Sequence, residues 1–212
     1  MKKILIITMM TAYLFAGGAA PFGLKPGMKI ENIDSEAKKV TETIFYISPP
    51  KPHKFFKIYK VWVDPKIGLY QLEATTPPIK TKSTGAKIKE EFDNIYSKLK
   101  NIYGKPSKSI DYLPEDSYLT DRFDYMDSLK SGERKRYVRW SINKRTKSKI
   151  QLSMRGINSY SGKIKLQYQF KNYRKVLKEE RSRIERAKRE KEKLKHKLHK
   201  KEKKIEKESP IF

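Results

Sequence analysis

The sequence predicts an α+β protein in which an antiparallel sheet carries helices on one face and a long basic α-helix follows it. Three observations predict this fold. Three strand-like runs lie within residues 43–74, two amphipathic helical segments follow them, and three runs of period-two alternation come next. Strands, then helices, then a three-strand meander are typical of an α+β domain whose sheet is covered on one side.

The first twenty residues have the pattern of an export signal. Lys2 and Lys3 form a basic start, residues 4–16 are apolar, and residues 16–20 are small. We therefore expect a signal peptide over 1–20, cleaved near Ala19, and a periplasmic or secreted protein. An uncleaved anchor is the alternative, but it needs about 20 apolar residues and the run has roughly thirteen.

Composition restricts the chemistry and indicates the partners. The chain has no cysteine, which excludes disulfides, thiolate catalysis and cysteine-bound metals. Its formal net charge is +26 and its pI is about 10.0, so we expect attraction to anionic partners. Outside the cytoplasm these are anionic lipids, acidic envelope polymers or acidic proteins, whereas in a cytoplasmic protein the same charge would favour nucleic acid.

The globular domain is expected over residues 21–170. A Pro- and Gly-rich entry at 21–28 leads into a short helix over 30–40 and a strand over 43–48. A stiff proline-rich spacer at 49–52 precedes a central strand at 55–63. A turn at 64–68 then leads into a returning strand at 69–74.

Two amphipathic helices follow these strands. Ser83 or Thr84 is expected to cap the first, which Gly104 and Pro106 end. The second is expected within residues 116–129. The buried stripe of the first consists of Ile88, Phe92, Ile95, Leu99 and Ile102, and that of the second of Leu119, Phe123, Met126 and Leu129.

Three alternating runs, YVRWSI, KIQLSM and KIKLQYQF, predict a meander with one apolar and one basic face. The polar face is a candidate binding surface, although most such faces are only solvated. The apolar face of the meander is expected to contain Val138, Trp140, Ile142, Ile150, Leu152, Met154, Ile164, Leu166, Tyr168 and Phe170. The polar face of the meander is expected to contain Arg139, Gln151, Ser153, Arg155, Lys163, Lys165, Gln167 and Gln169.

The stretch GLKPGMKIENI resembles the opening of small bacterial envelope proteins of the SmpA/OmlA type. Gly23, Gly27, Met28 and Ile33 match that pattern, whereas the lipidated cysteine of the outer-membrane assembly lipoprotein is absent. The resemblance implies two short helices against an antiparallel sheet, as in β-lactamase inhibitory protein. The wider pattern resembles exported bacterial proteins of unknown function, and neither resemblance implies an enzymatic reaction.

Catalytic and metal-binding patterns are weak, so we expect no catalytic residue, no metal and no cofactor. A histidine-based catalytic set would depend on His53, which lies in the proline-rich spacer. His196 and His199 have cationic neighbours and no suitably spaced carboxylate. The alternative is an exported hydrolase-like enzyme that uses the acidic segment 111–127, with Asp111, Glu115, Asp116, Asp121, Asp124 and Asp127.

Residues 171–208 predict a basic amphipathic helix, and 209–212 a disordered end. Leu177, Ile184, Leu198 and Ile205 recur every seven residues, but Lys191 interrupts the series. This half-apolar seam leaves three alternatives open: a coiled-coil homodimer, docking in an acidic protein groove, and a merely solvated helix.

The sequence therefore predicts an exported, non-enzymatic protein that binds or interacts with the envelope. The hydrolase is the first alternative and nonspecific nucleic-acid binding is the second. Any nucleic-acid binding would be nonspecific, because Tyr173 is the only aromatic residue of the tail and bases would have no stacking surface. Membrane association would be peripheral. The predicted anionic-surface residues on the helix are Arg181, Arg183, Arg186, Lys188 and Arg189, and those on the sheet are Arg139, Arg155, Lys163 and Lys165.

Overall fold

The structure is a computed structural model that describes residues 21–120, 123–143 and 148–208, apart from the side chains of Pro21, of Asn143 and of residues 200–208. The predicted signal peptide at 1–20 and the predicted disordered end at 209–212 lie outside the described residues. Within the described ranges, no helix combines the length and the apolar character needed to cross a bilayer.

The described chain forms one antiparallel sheet and three α-helices, which confirms the α+β prediction. The strands are β1 (Lys38–Lys39), β2 (Ile44–Tyr46), β3 (Ile58–Asp64), β4 (Gly68–Thr75), β5 (Ile79–Lys80), β6 (Lys108–Tyr112), β7 (Lys135–Asn143), β8 (Ser148–Asn158) and β9 (Ser161–Gln169). The helices are α1 (Ala86–Tyr103), α2 (Tyr125–Ser131) and α3 (Tyr173–Glu208), and short 3-10 turns occupy Pro21–Gly23 and Ile30–Asn32.

The order of the strands in the sheet is β1-β2-β3-β4-β9-β8-β7-β6, and β5 pairs with β9. The predicted meander is therefore present as β7, β8 and β9. Strand β4 joins it to the N-terminal strands, because Leu72 lies opposite Tyr168 of β9 and opposite Val61 of β3. All three of these side chains are buried in a single core.

Helix α1 covers one face of the sheet. Four of its five predicted stripe residues are buried, whereas Ile102, near the C-terminal end, is 63% exposed. Gly104 ends the helix as predicted, and its carbonyl accepts a 2.9 Å hydrogen bond from Trp140 Nε1 of β7. The predicted cap at Ser83 or Thr84 is wrong: Gly85 is the N-cap, and Thr81 Oγ1 accepts from the Lys87 amide.

Helix α2 packs on the same face, directly against β8. A side chain at Gly156 of β8 would place its Cβ 2.6 Å from the Lys130 amide nitrogen and 2.7 Å from the Met126 carbonyl oxygen of α2. Such distances lie far below van der Waals contact, so only glycine permits this approach.

The predicted helix over 30–40 is wrong. The chain makes one 3-10 turn at Ile30–Asn32 and then enters β1. Asp34 explains the difference, because its carboxylate accepts hydrogen bonds from the amides of Glu36 and Ser48. A side chain that takes backbone donors in this way competes with helical hydrogen bonding.

The second predicted helix is shorter than its apolar pattern indicates. It begins at Tyr125, so only Met126 and Leu129 of the predicted stripe are helical and buried. Phe123 is 59% exposed. The chain turns before the helix, where Asp124 accepts hydrogen bonds from the amide and hydroxyl of Thr120.

Strands β1, β5 and β6 were not predicted. Two of them contain only two residues, too few for alternation to appear. In β6 only Ile110 is partly buried, and its other residues are exposed at the edge of the sheet. Ile142 at the end of β7 was predicted on the apolar side, but it is 51% exposed.

Candidate polyanion-binding surface

The face of the sheet opposite α1 and α2 carries a cross-strand row of polar side chains. The row begins at Lys60 on β3 and ends at Lys108 on the outer strand β6. Long polar side chains in register across six strands keep this face hydrated while covering the backbone. In order, the row consists of Lys60, Glu73, Gln167, Gln151, Arg139 and Lys108.

The four predicted sheet residues do not form one cluster. Arg139 lies in the polar row and donates through Nε and Nη2 to Gln151 Oε1, at 3.1 and 2.7 Å. Lys165 is paired with Glu73 at 3.3 Å. Arg155 and Lys163 face each other across β8 and β9, roughly 13 Å further along the strands than Gln151.

The N-terminal turns of α3 pack against the domain. Asn172 Nδ2 donates to the Leu69 carbonyl at 2.9 Å, and the Tyr173 ring lies 6.1 Å from the Tyr70 ring. Val176 is only 3% exposed. The start of this helix is therefore part of the packed fold, although its sequence is almost as basic as the rest.

Asp64, at the end of β3, ties α3 to the sheet. Its Oδ1 accepts hydrogen bonds from the amides of Lys66 and Ile67, and its Oδ2 lies 3.3 Å from Arg183 Nη2. Burial alone would raise the pKa of Asp64, but these amides and Arg183 together lower it. Arg183 was predicted to bind an external surface, yet it has a partner within the chain.

Two clefts flank the start of α3. The first, of about 660 Å³, is lined by Asp64 and by Arg183 and Arg186 of the helix. The second, of about 510 Å³, lies between the helix and the sheet and includes Lys149 and Arg181. Both clefts contain Lys178 and Ser182, so they lie on either side of the same helical turns.

The remaining predicted helix cations lie at or beyond the end of the packed turns. Every described side chain from Arg183 to His199 is exposed. Arg189 forms an exposed ion pair with Glu185 at 2.7 Å, which contributes only a few tenths of a kcal/mol to the helix. Two residues of the apolar seam are exposed as well, Ile184 at 64% and Leu198 at 52%, and the predicted homodimer stays a prediction.

Three described carboxylates of the acidic segment have separate partners within the chain. Asp111 pairs with Arg134 and Arg136 of the neighbouring strand region. Asp124 accepts a hydrogen bond from the Thr120 hydroxyl, and Asp127 accepts one from the Ser159 hydroxyl. Glu115 and Asp116 are exposed, and Asp121 lies outside the described residues. No set of three metal-binding side chains occurs within the described part of the chain.

His53 lies in a shallow cleft of about 350 Å³ that no carboxylate lines among the described residues. Its backbone amide donates to the Tyr59 hydroxyl at 2.8 Å. Burial, followed by the charges of Lys98 and Lys54, lowers the pKa of the imidazole, which favours its neutral form. A hydrolase would be favoured by a cleft that brings Asp121 or Asp124 near His53. Asp124 does not line the His53 cleft, and Asp121 lies outside the described residues.

Several residues of the clefts were not predicted. Lys149 could have been found, because it precedes Gln151 by two residues and must share its face. The role of Asp64 could not have been predicted, since its partner Arg183 is 119 residues away in the chain. Tyr173 lines a smaller cleft on the sheet together with Arg139. This proximity could not have been predicted, because no sequence periodicity connects the two residues.

No protein-family model, curated protein or solved structure matches the chain. The similarity to SmpA/OmlA-type proteins therefore stays a prediction based on its short N-terminal motif.

Proposed function

We propose that the protein is an exported, non-enzymatic binding protein that attaches to an anionic envelope surface through α3. The exposed basic part of this helix carries the proposal. Residues 171–208 contain eighteen Lys and Arg against eight Glu, and the described side chains beyond Ser182 are exposed. An anionic lipid surface attracts each nearby basic residue by about 1 kcal/mol.

The geometry of α3 supports contact with a surface. A helix of 36 residues is about 54 Å long, and only its first turns pack against the domain. The exposed remainder can lie along a surface while the domain stays in solution. If five or six basic residues of one face approach the surface, the gross attraction is several kcal/mol, enough for reversible binding.

The proposed location is periplasmic or extracellular, as the expected signal peptide at 1–20 indicates. In that compartment anionic lipids and acidic polymers are the most accessible polyanions. N-terminal sequencing of protein from its native cells tests this part of the proposal: a chain that begins near Pro21 supports export, and one that retains Met1 contradicts cleavage.

Vesicle sedimentation tests surface binding. The protein should sediment with vesicles that contain anionic lipid and should remain in the supernatant with neutral vesicles. A variant with glutamine at Arg181, Arg186, Lys188 and Arg189 should lose most of this binding, because it removes four charges from the helix and leaves the Arg183 contact with Asp64 intact.

The matched control replaces Arg155 and Lys163 on the sheet, together with Lys38 and Lys39 of β1, by glutamine. It removes the same four units of charge, but none from α3. The control should still sediment with anionic vesicles. Equal loss in both variants would mean that net charge, and not α3, is responsible for the binding.

A further inference from the structure

The sheet cleft beside Tyr173 has the composition of a ligand site. It has a volume of about 260 Å³ and is lined by Arg139, Lys149, Gln151, Gln167, Gln169 and Tyr173, a set called here the amide groove. The adjoining 510 Å³ cleft shares Lys149, Gln169 and Tyr173 with it, so the two lie side by side. Both are open to solvent, and the larger one lies between the sheet and α3.

The polar groups of the amide groove are largely available for a ligand. Within the described part of the chain, no side-chain hydrogen bond or ion pair engages Lys149, Gln167 or Gln169. Arg139 uses Nε and Nη2 on Gln151, which leaves Nη1 free and fixes the plane of the guanidinium. A cation held in one orientation by a neighbour is suited to a carboxylate or phosphate.

The mixture of amides and cations distinguishes between classes of anion. A bare polyphosphate offers only acceptors, and cations alone would satisfy it. Three glutamine amides, each both donor and acceptor, match hydroxyl groups, which also donate and accept. The Tyr173 ring adds an apolar surface at the meeting point of the two clefts. Charged groups, hydroxyls and flat apolar ring faces occur together in acidic sugars.

We infer that the amide groove binds a segment of an anionic polysaccharide. Arg139 and Lys149 contact its acidic groups, and the amides of Gln167 and Gln169 contact its hydroxyls. Because the two adjoining clefts are open to solvent, a polymer bound in the groove can extend beyond it. This site is distinct from the exposed cations of α3, and its existence does not depend on vesicle binding.

Calorimetric titration at physiological ionic strength tests the inference with three probes: an oligogalacturonate, a neutral malto-oligosaccharide of equal length, and inorganic polyphosphate. The oligogalacturonate should bind and the neutral sugar should not. Arg139→Gln should weaken oligogalacturonate binding about tenfold or more, because a charge-assisted contact is lost. Arg155→Gln, which removes the same charge from the far end of the same face, should leave the affinity unchanged.

The double variant Gln167→Met and Gln169→Met separates sugar recognition from charge. It preserves side-chain length but removes the amides, so it should weaken oligogalacturonate binding about tenfold and leave polyphosphate binding unchanged. Thermal unfolding checks that each variant folds, and Arg139→Gln provides the test if the double variant does not. Absence of oligogalacturonate binding, equal effects on both polyanions, or equal effects of the two arginine variants would overturn the inference.

Failure of this site and failure of surface attachment give different results. Arg139→Gln should leave sedimentation with anionic vesicles unchanged, because Arg139 lies on the sheet and not on the exposed part of α3. A loss of both activities in Arg139→Gln would show that the groove and the helix are not separate sites and would overturn the inference.

Discussion

At the scale of single residues, Asp64 is the acidic group that joins the β3–β4 turn to α3. Its carboxylate holds the β3–β4 turn through two amides and holds α3 through Arg183. We expect Asp64→Ala to lower the free energy of unfolding by about 3 kcal/mol, because the turn amides lose a charged acceptor. Arg183→Gln should cost less than about 1 kcal/mol, since this pair is exposed on the arginine side. Urea unfolding at neutral pH measures both.

The pH dependence provides the control for Asp64. The folded-state pKa of Asp64 is lowered, so its contribution to the free energy of unfolding is complete above the ordinary pKa of aspartate. That contribution is lost as the pH falls through the folded-state pKa. The difference in unfolding free energy between the wild type and Asp64→Ala should therefore shrink in acid below about pH 4. A difference that stays constant into strong acid would contradict a charged role for Asp64.

At the scale of elements, the approach of α2 to β8 depends on Gly156. Gly156→Ala should destabilise the fold by about 1–3 kcal/mol, because its Cβ would overlap backbone atoms of α2 that cannot move independently. Ser153→Ala, on the opposite face of the same strand, should change the stability by less than about 0.5 kcal/mol. Chemical unfolding of both variants checks the comparison, and equal effects would contradict the close packing.

The elements that the sequence predicts well are those with long periodic patterns. The stripe of α1 and the alternation of β8 and β9 extend over many residues, so local pattern and tertiary burial agree. The helix expected over 30–40 failed because one side chain, Asp34, redirects the local hydrogen bonds. Strand β1 could not be predicted, since its pairing depends on β2 and not on its own sequence.

The candidate site shows the same division. Arg139, Gln151, Gln167 and Gln169 were assigned to one polar face from alternation alone, and the structure places them there. Arg183 was grouped with the surface-binding cations, because nothing in the local sequence indicates its contact with Asp64. Distant contacts of this kind arise from the packing of the helix on the sheet.

At the scale of the whole molecule, a folded domain carries a basic helix whose start is packed and whose remainder is exposed. The packed start holds the helix against the domain, the exposed part is proposed to supply the attraction to a polyanion, and the amide groove lies where helix and sheet meet. Because the attraction is proposed to be electrostatic, salt should weaken it in a graded manner. Insertion of the exposed apolar residues Ile184, Leu194 and Leu198 into lipid would respond differently, since salt does not screen apolar burial.

The most direct measurement of the central claim is the fraction of protein bound to anionic vesicles as a function of salt concentration. We expect strong binding at low ionic strength and nearly complete release at 1 M salt, where the Debye length falls to about 3 Å. Variants that retain the α3 cations should follow the same curve. Binding that persists at 1 M salt, or that is equally strong on neutral vesicles, would contradict electrostatic attachment through α3.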